Sequence, residues 1–116
     1  MPARKLPIKT TNRSPALTAD DMAAHAASAA GLLKALANRH RLLLLCMLAQ
    51  GELSVGALNE GVQLSQSALS QHLAVLRKDG LVETRREAQT IYYRIAEGPA
   101  LDVIRVLHAS YCSATK

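Results

Sequence analysis

The sequence predicts a mainly α-helical domain with one small β-hairpin, in the element order α-α-α-α-β-β-α. Apolar residues recur at helical spacing through most of residues 18–80, which predicts helices there. The spacing then becomes an alternation typical of strands over residues 81–86 and 90–95. The chain has no Trp, no Phe and three Tyr, so Leu, Ala, Val and Ile must form the core. That composition favours helices over a sandwich or barrel.

A length of 116 residues fits one domain with a modest core. The net charge of +5 is concentrated at the N-terminus, because residues 1–16 carry four cations and no acid. These cations are Arg4, Lys5, Lys9 and Arg13. We predict a disordered basic arm over residues 1–17 and the folded domain over residues 18–116. The arm could contact phosphate backbones or be a solvated tail, and the sequence does not decide between them.

Composition also bears on the compartment. No apolar run approaches the roughly 20 residues that would span a bilayer. Residues 1–16 contain three prolines and no continuous apolar stretch, which excludes a secretory signal there. Two cysteines far apart do not form the framework of a secreted disulfide-rich domain. We therefore expect a cytoplasmic protein.

The first helices can be placed from their capping residues. Thr18 is a good N-cap, and Met22–Ala37 is expected to run as one long helix with Gly31 as its weak point. Asn38 breaks this helix and caps the next, Arg39–Ala49. The second half of that helix is apolar on every side, which is typical of a central buried helix.

Two more helices follow at once. Ser54 caps a short helix over Val55–Glu60, and Gly61 is placed as its C-terminal stop. Ser65 opens the next helix, Gln66–Lys78. Only a tight turn separates the two helices.

The remaining elements are a hairpin and a last helix. The strands Leu81–Arg86 and Thr90–Ile95 are joined by a three-residue loop. Pro99 suits the first helical position, and the last helix should run from Ala100 to about Ser113. A short and a longer helix joined by a tight turn and followed by a hairpin form the pattern of a winged helix-turn-helix.

A helical wheel of residues 65–78 separates an outward arc from an inward one. The outward arc holds Ser67, Ser70, Gln71, Ala74, Arg77 and Lys78, with Gln66 at the border, and the inward arc holds Ala68, Leu69, His72, Leu73, Val75 and Leu76. Gln can form two hydrogen bonds to adenine, and Ser can hydrogen-bond to most bases. An ordinary solvated face is the alternative, and a core role is the simpler interpretation of His72.

Cations in the hairpin strengthen the interpretation that this helix reads DNA. These cations are Arg85, Arg86 and Arg94. We predict a DNA-binding surface that consists of Gln66, Ser67, Ser70, Gln71, Arg77, Arg85 and Arg86.

Two stretches, "LLKALANRHRLLLLCML" and "LSQSALSQHLAVLRKDGLVETRREAQTIYYRI", resemble the ArsR/SmtB family of bacterial winged-helix repressors. The resemblance covers about residues 20–113. It implies a homodimer that pairs through its first and last helices. It also implies that the helix at residues 65–78 enters the major groove of double-stranded DNA, with the hairpin on the flanking backbone or minor groove. Two-fold symmetry then implies a palindromic operator with half-sites roughly 34 Å apart, or a multiple of that spacing.

The two best-known metal sites of this family are not matched. A Cys-x-Cys segment would fall at Ser54 and Gly56, neither of which is a soft ligand. In the last helix, Asp102 lacks the His two residues on, and His108 lacks the Glu three residues on. We expect no resident metal or cofactor.

Cys46 and Cys112 resemble the cysteine pair of the dithiol subgroup (the BigR-, SqrR- and HlyU-like repressors). This implies a repressor that releases its operator when reactive sulfur species or oxidants crosslink the pair, as a disulfide or a polysulfide. Helical wheels turn both thiols inward, and a direct disulfide needs Cα atoms within about 7 Å. Cys112, near the helix end, should be the attacking thiol. His108 and the basic stretch Arg39–Arg41 could favour its thiolate.

Three alternatives stay open for the two cysteines. Free Cys is often an inert hydrophobic core residue. Cys46, His108 and Cys112 could bind zinc in a metal-responsive repressor. The pair could also serve a thiol-redox enzyme, but no Cys-x-x-Cys motif is present, and we do not predict an enzyme.

Overall fold

The computed structural model describes residues 18–112. The elements are α1 (Ala19–Ala23), α2 (Ala26–Leu36), α3 (Arg39–Ala49), β1 (Leu53–Ser54), α4 (Val55–Gly61), α5 (Gln66–Lys78), β2 (Val82–Glu87), β3 (Thr90–Ile95) and α6 (Pro99–Tyr111). The predicted winged helix-turn-helix is confirmed. The chain divides into two compact units, residues 1–30 and 31–116. The predicted basic arm lies outside the described residues.

The first unit contains α1, whose N-cap is Thr18 as predicted. The Thr18 hydroxyl accepts a hydrogen bond from the Asp21 N–H at 3.1 Å. The prediction of one continuous helix over residues 22–37 is wrong, because the helix is interrupted at residues 24 and 25. There the His25 N–H bonds the Met22 carbonyl at 2.8 Å, a tighter turn than the α-helical one. Gly31, the expected weak point, lies inside α2.

The second unit is built around α3, which packs against α5, α6 and β3. Its core contains Ala35, Leu36, Leu44, Leu45, Leu48, Leu58, Leu69, Leu73, Leu76, Leu81, Val82, Tyr93, Ala100 and Ile104. The expectation that the second half of α3 is buried on every side is wrong. Leu43 is 51% exposed and Ala49 is also exposed. The side of α3 away from this core opens into a pocket that is described below.

Side-chain caps fix where the helices of this unit begin. The Asn38 side chain accepts from the N–H groups of His40 and Arg41, at 3.0 and 3.1 Å. Ser54 accepts from the Ala57 N–H and Ser65 from the Ala68 N–H, each at 3.1 Å. All three caps were predicted. Each satisfies N–H groups that a helix start leaves without partners.

Gly61 has a different role from the predicted one. It is the last residue of α4 rather than a stop beyond it, and its φ is not positive. A Cβ at this position would overlap the Met47 methyl group and approach the Met47 sulfur to 3.3 Å. A larger residue at position 61 would therefore have to displace the flexible end of the Met47 side chain of α3.

The sheet has three strands rather than the two predicted. They are antiparallel in the order β1-β3-β2. β1 is only two residues long and pairs Ser54 with Tyr92, so it anchors the hairpin to the end of α3. β2 begins and ends one residue later than predicted, which leaves a two-residue loop with Ala88 at φ +57°.

The last helix starts at Pro99, as expected, and ends at Tyr111 rather than at about residue 113. Its buried residues are Ala100 and Ile104, near its start. Within residues 18–112, no helix combines the length and apolar character needed to cross a membrane.

Candidate DNA-reading face and thiol pocket

The outward arc of α5 is solvent-exposed as predicted. The exposed residues are Gln66, Ser67, Ser70, Gln71, Ala74, Arg77 and Lys78. Of the inward arc, Leu69, Leu73 and Leu76 are buried, but Val75 is 37% exposed and so belongs to the rim of this face. The helix therefore presents hydroxyl and amide groups along its first half and cations at its end, beside a hairpin.

His72 is half-buried on the inner side of α5 and contacts the start of α3. The Arg41 guanidinium lies 3.4 Å from His72 Nδ1 and also donates to the Ala35 carbonyl at 2.6 Å. The His40 ring lies 5.6 Å from the His72 ring between centroids. Burial lowers the pKa of His72, and the charges of Arg41 and His40 lower it further. His72 is therefore on the inner side of α5, as predicted, but it is only half-buried and is not part of the core.

The register of the hairpin decides which way its cations face. Arg85 lies opposite Tyr92, and Arg94 lies opposite Glu83, so these four side chains share one face. Arg86 lies opposite Ile91, so its side chain is on the other face of the hairpin. Ile91 on that face lines a groove beside α5. This groove of about 510 Å³ separates α5 from β3 on that side, lined by Ser70, Ala74, Arg77, Lys78, Ile91 and Tyr93 among others.

Carboxylates neutralise the cations on the first face. Arg85 Nε lies 3.0 and 2.9 Å from the two carboxylate oxygens of Glu52, and its Nη2 lies 2.9 Å from Glu52 Oε1. A longer contact of 3.4 Å joins Arg85 to Glu87. Arg94 bonds Glu83 at 2.6 Å. The expected basic hairpin is therefore charge-balanced on this face.

Arg85 contacts an aromatic ring in addition to the carboxylate of Glu52. The Arg85 guanidinium carbon lies 4.4 Å from the centroid of the Tyr92 ring, a cation–π geometry. Hydrogen bonding from Arg85 lowers the pKa of Glu52, and Glu52 raises the pKa of Arg85. Both side chains stay partly solvated, at 31% and 50% exposure. Arg86, by contrast, pairs with no carboxylate within residues 18–112.

The two cysteines line one pocket between α3 and α6, with a volume of about 640 Å³. Its lining residues are Leu43, Cys46, Met47, Gln50, Gly51, Glu52, Leu53, His108 and Cys112. Both cysteines are thiols in this structure. The lining is mostly apolar, and Glu52 is the acidic residue at its rim.

The thiols differ in their surroundings. Cys46 is half-buried, and burial raises the pKa of its thiol, with a further increase from the charge of Cys112. Cys112 is exposed, and it lines the pocket together with Cys46, so it lies on the side of α6 toward α3 as predicted without being buried. The residues that α6 does bury, Ala100 and Ile104, lie near its start.

His108 and the basic stretch Arg39–Arg41 were both expected near the thiols, but only His108 lies there. His108 lines the pocket beside both thiols, as its position one turn before Cys112 predicts. The basic stretch Arg39–Arg41 is not among the pocket residues, because Arg41 is bound to the end of α2 and to His72. No group of three or more His, Cys, Asp or Glu side chains in residues 18–112 forms a metal-binding cluster.

Sequence reasoning missed Glu52, which lies both at the rim of the thiol pocket and against the hairpin. Its partner Arg85 is 33 positions away, and helical or strand periodicity carries no signal for such a pair. The only feature of the sequence that could have drawn attention to Glu52 is its position directly after Gln50-Gly51, where the helix ends. Gly51 has φ +152°, a conformation that favours glycine, and the chain turns there from α3 toward β1.

The chain is similar to known bacterial regulatory proteins. Residues 38–84 match the family described as "Bacterial regulatory protein, arsR family". The transcriptional activator HlyU of Vibrio cholerae is 53% identical over 96 residues, which are 83% of this chain and 89% of that protein.

Solved structures give the same picture at the level of the fold. The structure of reduced HlyU from Vibrio cholerae is 53% identical and superposes with a TM-score of 0.77, covering 81% of this chain and 99% of its own. The transcriptional repressor BigR from Xylella fastidiosa is 42% identical, also with a TM-score of 0.77, covering 84% of this chain and 99% of its own.

Proposed function

Because the chain belongs to the ArsR family of winged-helix DNA-binding regulators, we propose that it is a homodimeric repressor whose operator binding is controlled by Cys46 and Cys112. Crosslinking of the two thiols by reactive sulfur species or oxidants releases the DNA. The observation that carries this proposal is the shared pocket, which brings cysteines from α3 and α6 to one cavity.

In the proposed DNA complex, α5 enters the major groove of a palindromic operator. Its exposed Gln66, Ser67, Ser70 and Gln71 contact base edges, whereas Arg77 contacts a phosphate. Arg86 is exposed on the hairpin face that it shares with Ile91, and it supplies a further phosphate contact. Arg85 was also predicted to contact DNA, but its guanidinium is held by Glu52.

The dimer is proposed to form through the first and last helices, as in the rest of the family. Apolar side chains on α1, α2 and α6 are available for such pairing: Met22, Leu33, Val106 and Tyr111 are 56%, 57%, 62% and 78% exposed. Apolar surface of this kind marks an interaction site when it is contiguous. Light scattering of the full chain tests this, and a monomer at micromolar concentration would contradict it.

The proposed thiol chemistry starts at Cys112, the more exposed of the two. With a low-molecular-weight persulfide RSSH, the Cys112 thiolate attacks the outer sulfur and RSH leaves, so Cys112 becomes a persulfide. Cys46 then attacks the Cys112 sulfur and expels HS⁻. Two thiols and RSSH thus give the disulfide, RSH and H₂S. With peroxide, Cys112 forms a sulfenic acid and water, and Cys46 displaces a second water.

The raised pKa of Cys46 supports this order. Burial and the charge of Cys112 raise the pKa of Cys46, so the Cys46 thiolate is rarer at neutral pH. A thiol with these surroundings is better suited to the second, intramolecular step, where its partner is already close.

Crosslinking would fasten α6 to α3, two helices that already pack together. α3 also packs against α5, so a change in its position reaches the DNA-reading helix. A small rotation of the two reading helices in a dimer is enough to lose register with the two half-sites. Allosteric coupling is typically about 1–3 kcal/mol, which corresponds to about a 5- to 150-fold change in affinity.

The direct test compares reduced and crosslinked protein. An operator duplex selected from random sequence is titrated with each form, and the crosslink is verified by intact mass. We expect at least about a fivefold weaker affinity after crosslinking. Equal affinities would overturn the proposal.

Single variants provide the matched control. Cys46→Ser and Cys112→Ser proteins should stay bound to the duplex in the presence of persulfide. Release of both variants would show that another group senses the inducer. A chelator that changes the affinity of reduced protein would instead favour the zinc-responsive alternative with Cys46, His108 and Cys112.

A further inference from the structure

The contact between Glu52 and Arg85 links two parts of the molecule that have separate roles. Glu52 lies at the rim of the pocket that contains both thiols. Arg85 lies on β2, and its guanidinium contacts the Glu52 carboxylate at three distances between 2.9 and 3.0 Å. One ion pair therefore joins the proposed sensor to the hairpin.

The ion pair crosses the full width of the sheet. In the strand order β1-β3-β2, Arg85 on β2 lies opposite Tyr92 on β3, and Tyr92 pairs with Ser54 on β1. The guanidinium lies over the Tyr92 ring at 4.4 Å and reaches Glu52, directly before β1. The orientation of the hairpin is thus tied to the position of the loop between α3 and β1.

The pair is also placed to respond to small changes. Both side chains are partly solvated, at 31% and 50% exposure, and such ion pairs are weak because water and salt screen them. Bidentate geometry makes the contact sensitive to the position of the carboxylate. A modest shift of Glu52 is enough to break it.

The charges argue against a direct role for Arg85 on DNA. Its face of the hairpin holds Arg85 and Arg94 together with Glu83 and Glu87, and Glu52 lies beside it. Two cations against three carboxylates give no attraction for phosphate. Arg86 on the opposite face is the hairpin cation without a carboxylate partner within residues 18–112.

We propose that Glu52 and Arg85 are the positioning pair through which the thiol pocket controls the orientation of the hairpin, and that Arg85 is not a phosphate contact. The inference rests on the proposed function. In the reduced protein the pair holds the hairpin so that Arg86 faces the DNA. Crosslinking of Cys46 and Cys112 moves the rim of the pocket, displaces the Glu52 carboxylate and releases the hairpin.

The first experiment compares Glu52→Gln with Glu83→Gln in the full-length protein. Both variants remove one negative charge from the hairpin region, and Glu83 pairs with Arg94 outside the pocket. Affinity for the selected duplex is measured before and after crosslinking with diamide, a thiol oxidant. Wild type and Glu83→Gln should both lose at least about fivefold in affinity, and Glu52→Gln less than about twofold.

A second readout does not depend on DNA. The ¹⁵Nε–¹Hε resonance of Arg85 in the full-length protein should move on crosslinking, and that of Arg94 should not. In the double variant Glu52→Arg with Arg85→Glu the ion pair is re-formed with its charges exchanged. Crosslinking should therefore weaken the DNA binding of this variant, as it does in wild type, although it hardly does so in Glu52→Gln.

The two proposals fail in different ways. If wild type loses affinity on crosslinking and Glu52→Gln loses as much as Glu83→Gln, this inference is overturned and the thiol switch stands. An Arg85 resonance that stays in place while wild-type affinity falls has the same meaning. If wild-type affinity does not change at all, both proposals are wrong.

Discussion

The outward face of α5 carries two cations, and so does the hairpin face with Arg85 and Arg94. The two faces differ in whether carboxylates pair with these cations. Within residues 18–112, Arg77 and Lys78 on α5 pair with no carboxylate, whereas Arg85 and Arg94 on the hairpin are both paired. On a helix, the neighbours of a side chain are three and four residues away. On a hairpin, the register sets them, and it places Glu83 opposite Arg94. A count of cations therefore overstates the attraction of this hairpin face for phosphate.

The largest expected effect is on the helix side of the comparison. If Gln71 bonds a base edge bidentately, as we propose, Gln71→Ala should weaken binding to the selected duplex by about 1–3 kcal/mol. Binding to a random-sequence duplex should change little, since no base contact is specific there. Fluorescence anisotropy with both duplexes measures this. Equal losses on the two duplexes would indicate a phosphate contact instead.

The salt dependence of binding compares the two faces directly. Arg77→Ala should reduce the slope of log K against log[salt] by about one, as expected for loss of one phosphate contact. Arg94→Ala should leave the slope nearly unchanged, because the Arg94 guanidinium is bound to Glu83. Titrations at several salt concentrations give both slopes. Equal decreases would show that the hairpin ion pair opens on DNA.

A smaller effect is expected on the inner side of α5, where burial lowers the pKa of His72. Below pH about 6.5, the ordinary value for His, the unfolded chain binds a proton that the folded protein excludes. The stability due to neutral His72 is therefore complete above that pH and is lost as pH falls.

Urea unfolding at pH 5 and pH 7 tests this for wild type and His72→Gln. The variant keeps a polar side chain but has no ionisation in this range. Its stability should differ less between the two pH values than that of wild type. An unchanged difference would show that His72 does not cause the pH dependence.

The smallest effect is expected for the exposed ion pair between Arg94 and Glu83. Their side chains are 64% and 52% exposed, so water screens the interaction. Glu83→Gln should change the free energy of unfolding by less than about 1 kcal/mol. Thermal or urea unfolding measures this. A larger loss would mean that cross-strand pairing, rather than the core, stabilises the hairpin.

Local signals were enough to predict most of the fold. Hydroxyl and amide side chains at Thr18, Asn38, Ser54 and Ser65 cap helices where expected, because capping involves residues only two or three positions apart. β1 was missed since a two-residue strand has no periodicity. Its identity as a strand depends entirely on pairing with β3.

The part of the candidate site that lies on a single helix could be predicted from the sequence. The exposed arc of α5 follows from its period, and the exposure of Cys112 agrees with its place near the end of the last helix. The contact of Glu52 with Arg85 joins positions 33 apart, and only the folded sheet brings them together. The shared pocket of Cys46 and Cys112 was expected from the family resemblance alone.

The absence of a side chain at Gly61 leaves room for the end of the Met47 side chain. The Met47 methyl group occupies the space that a Cβ would need, and Met47 also lines the thiol pocket. Met47 therefore touches both α4 and the thiol pocket through one flexible side chain. A transplanted Cys46 and Cys112 pair would meet the same neighbours only if residues 47 and 61 were transplanted with it.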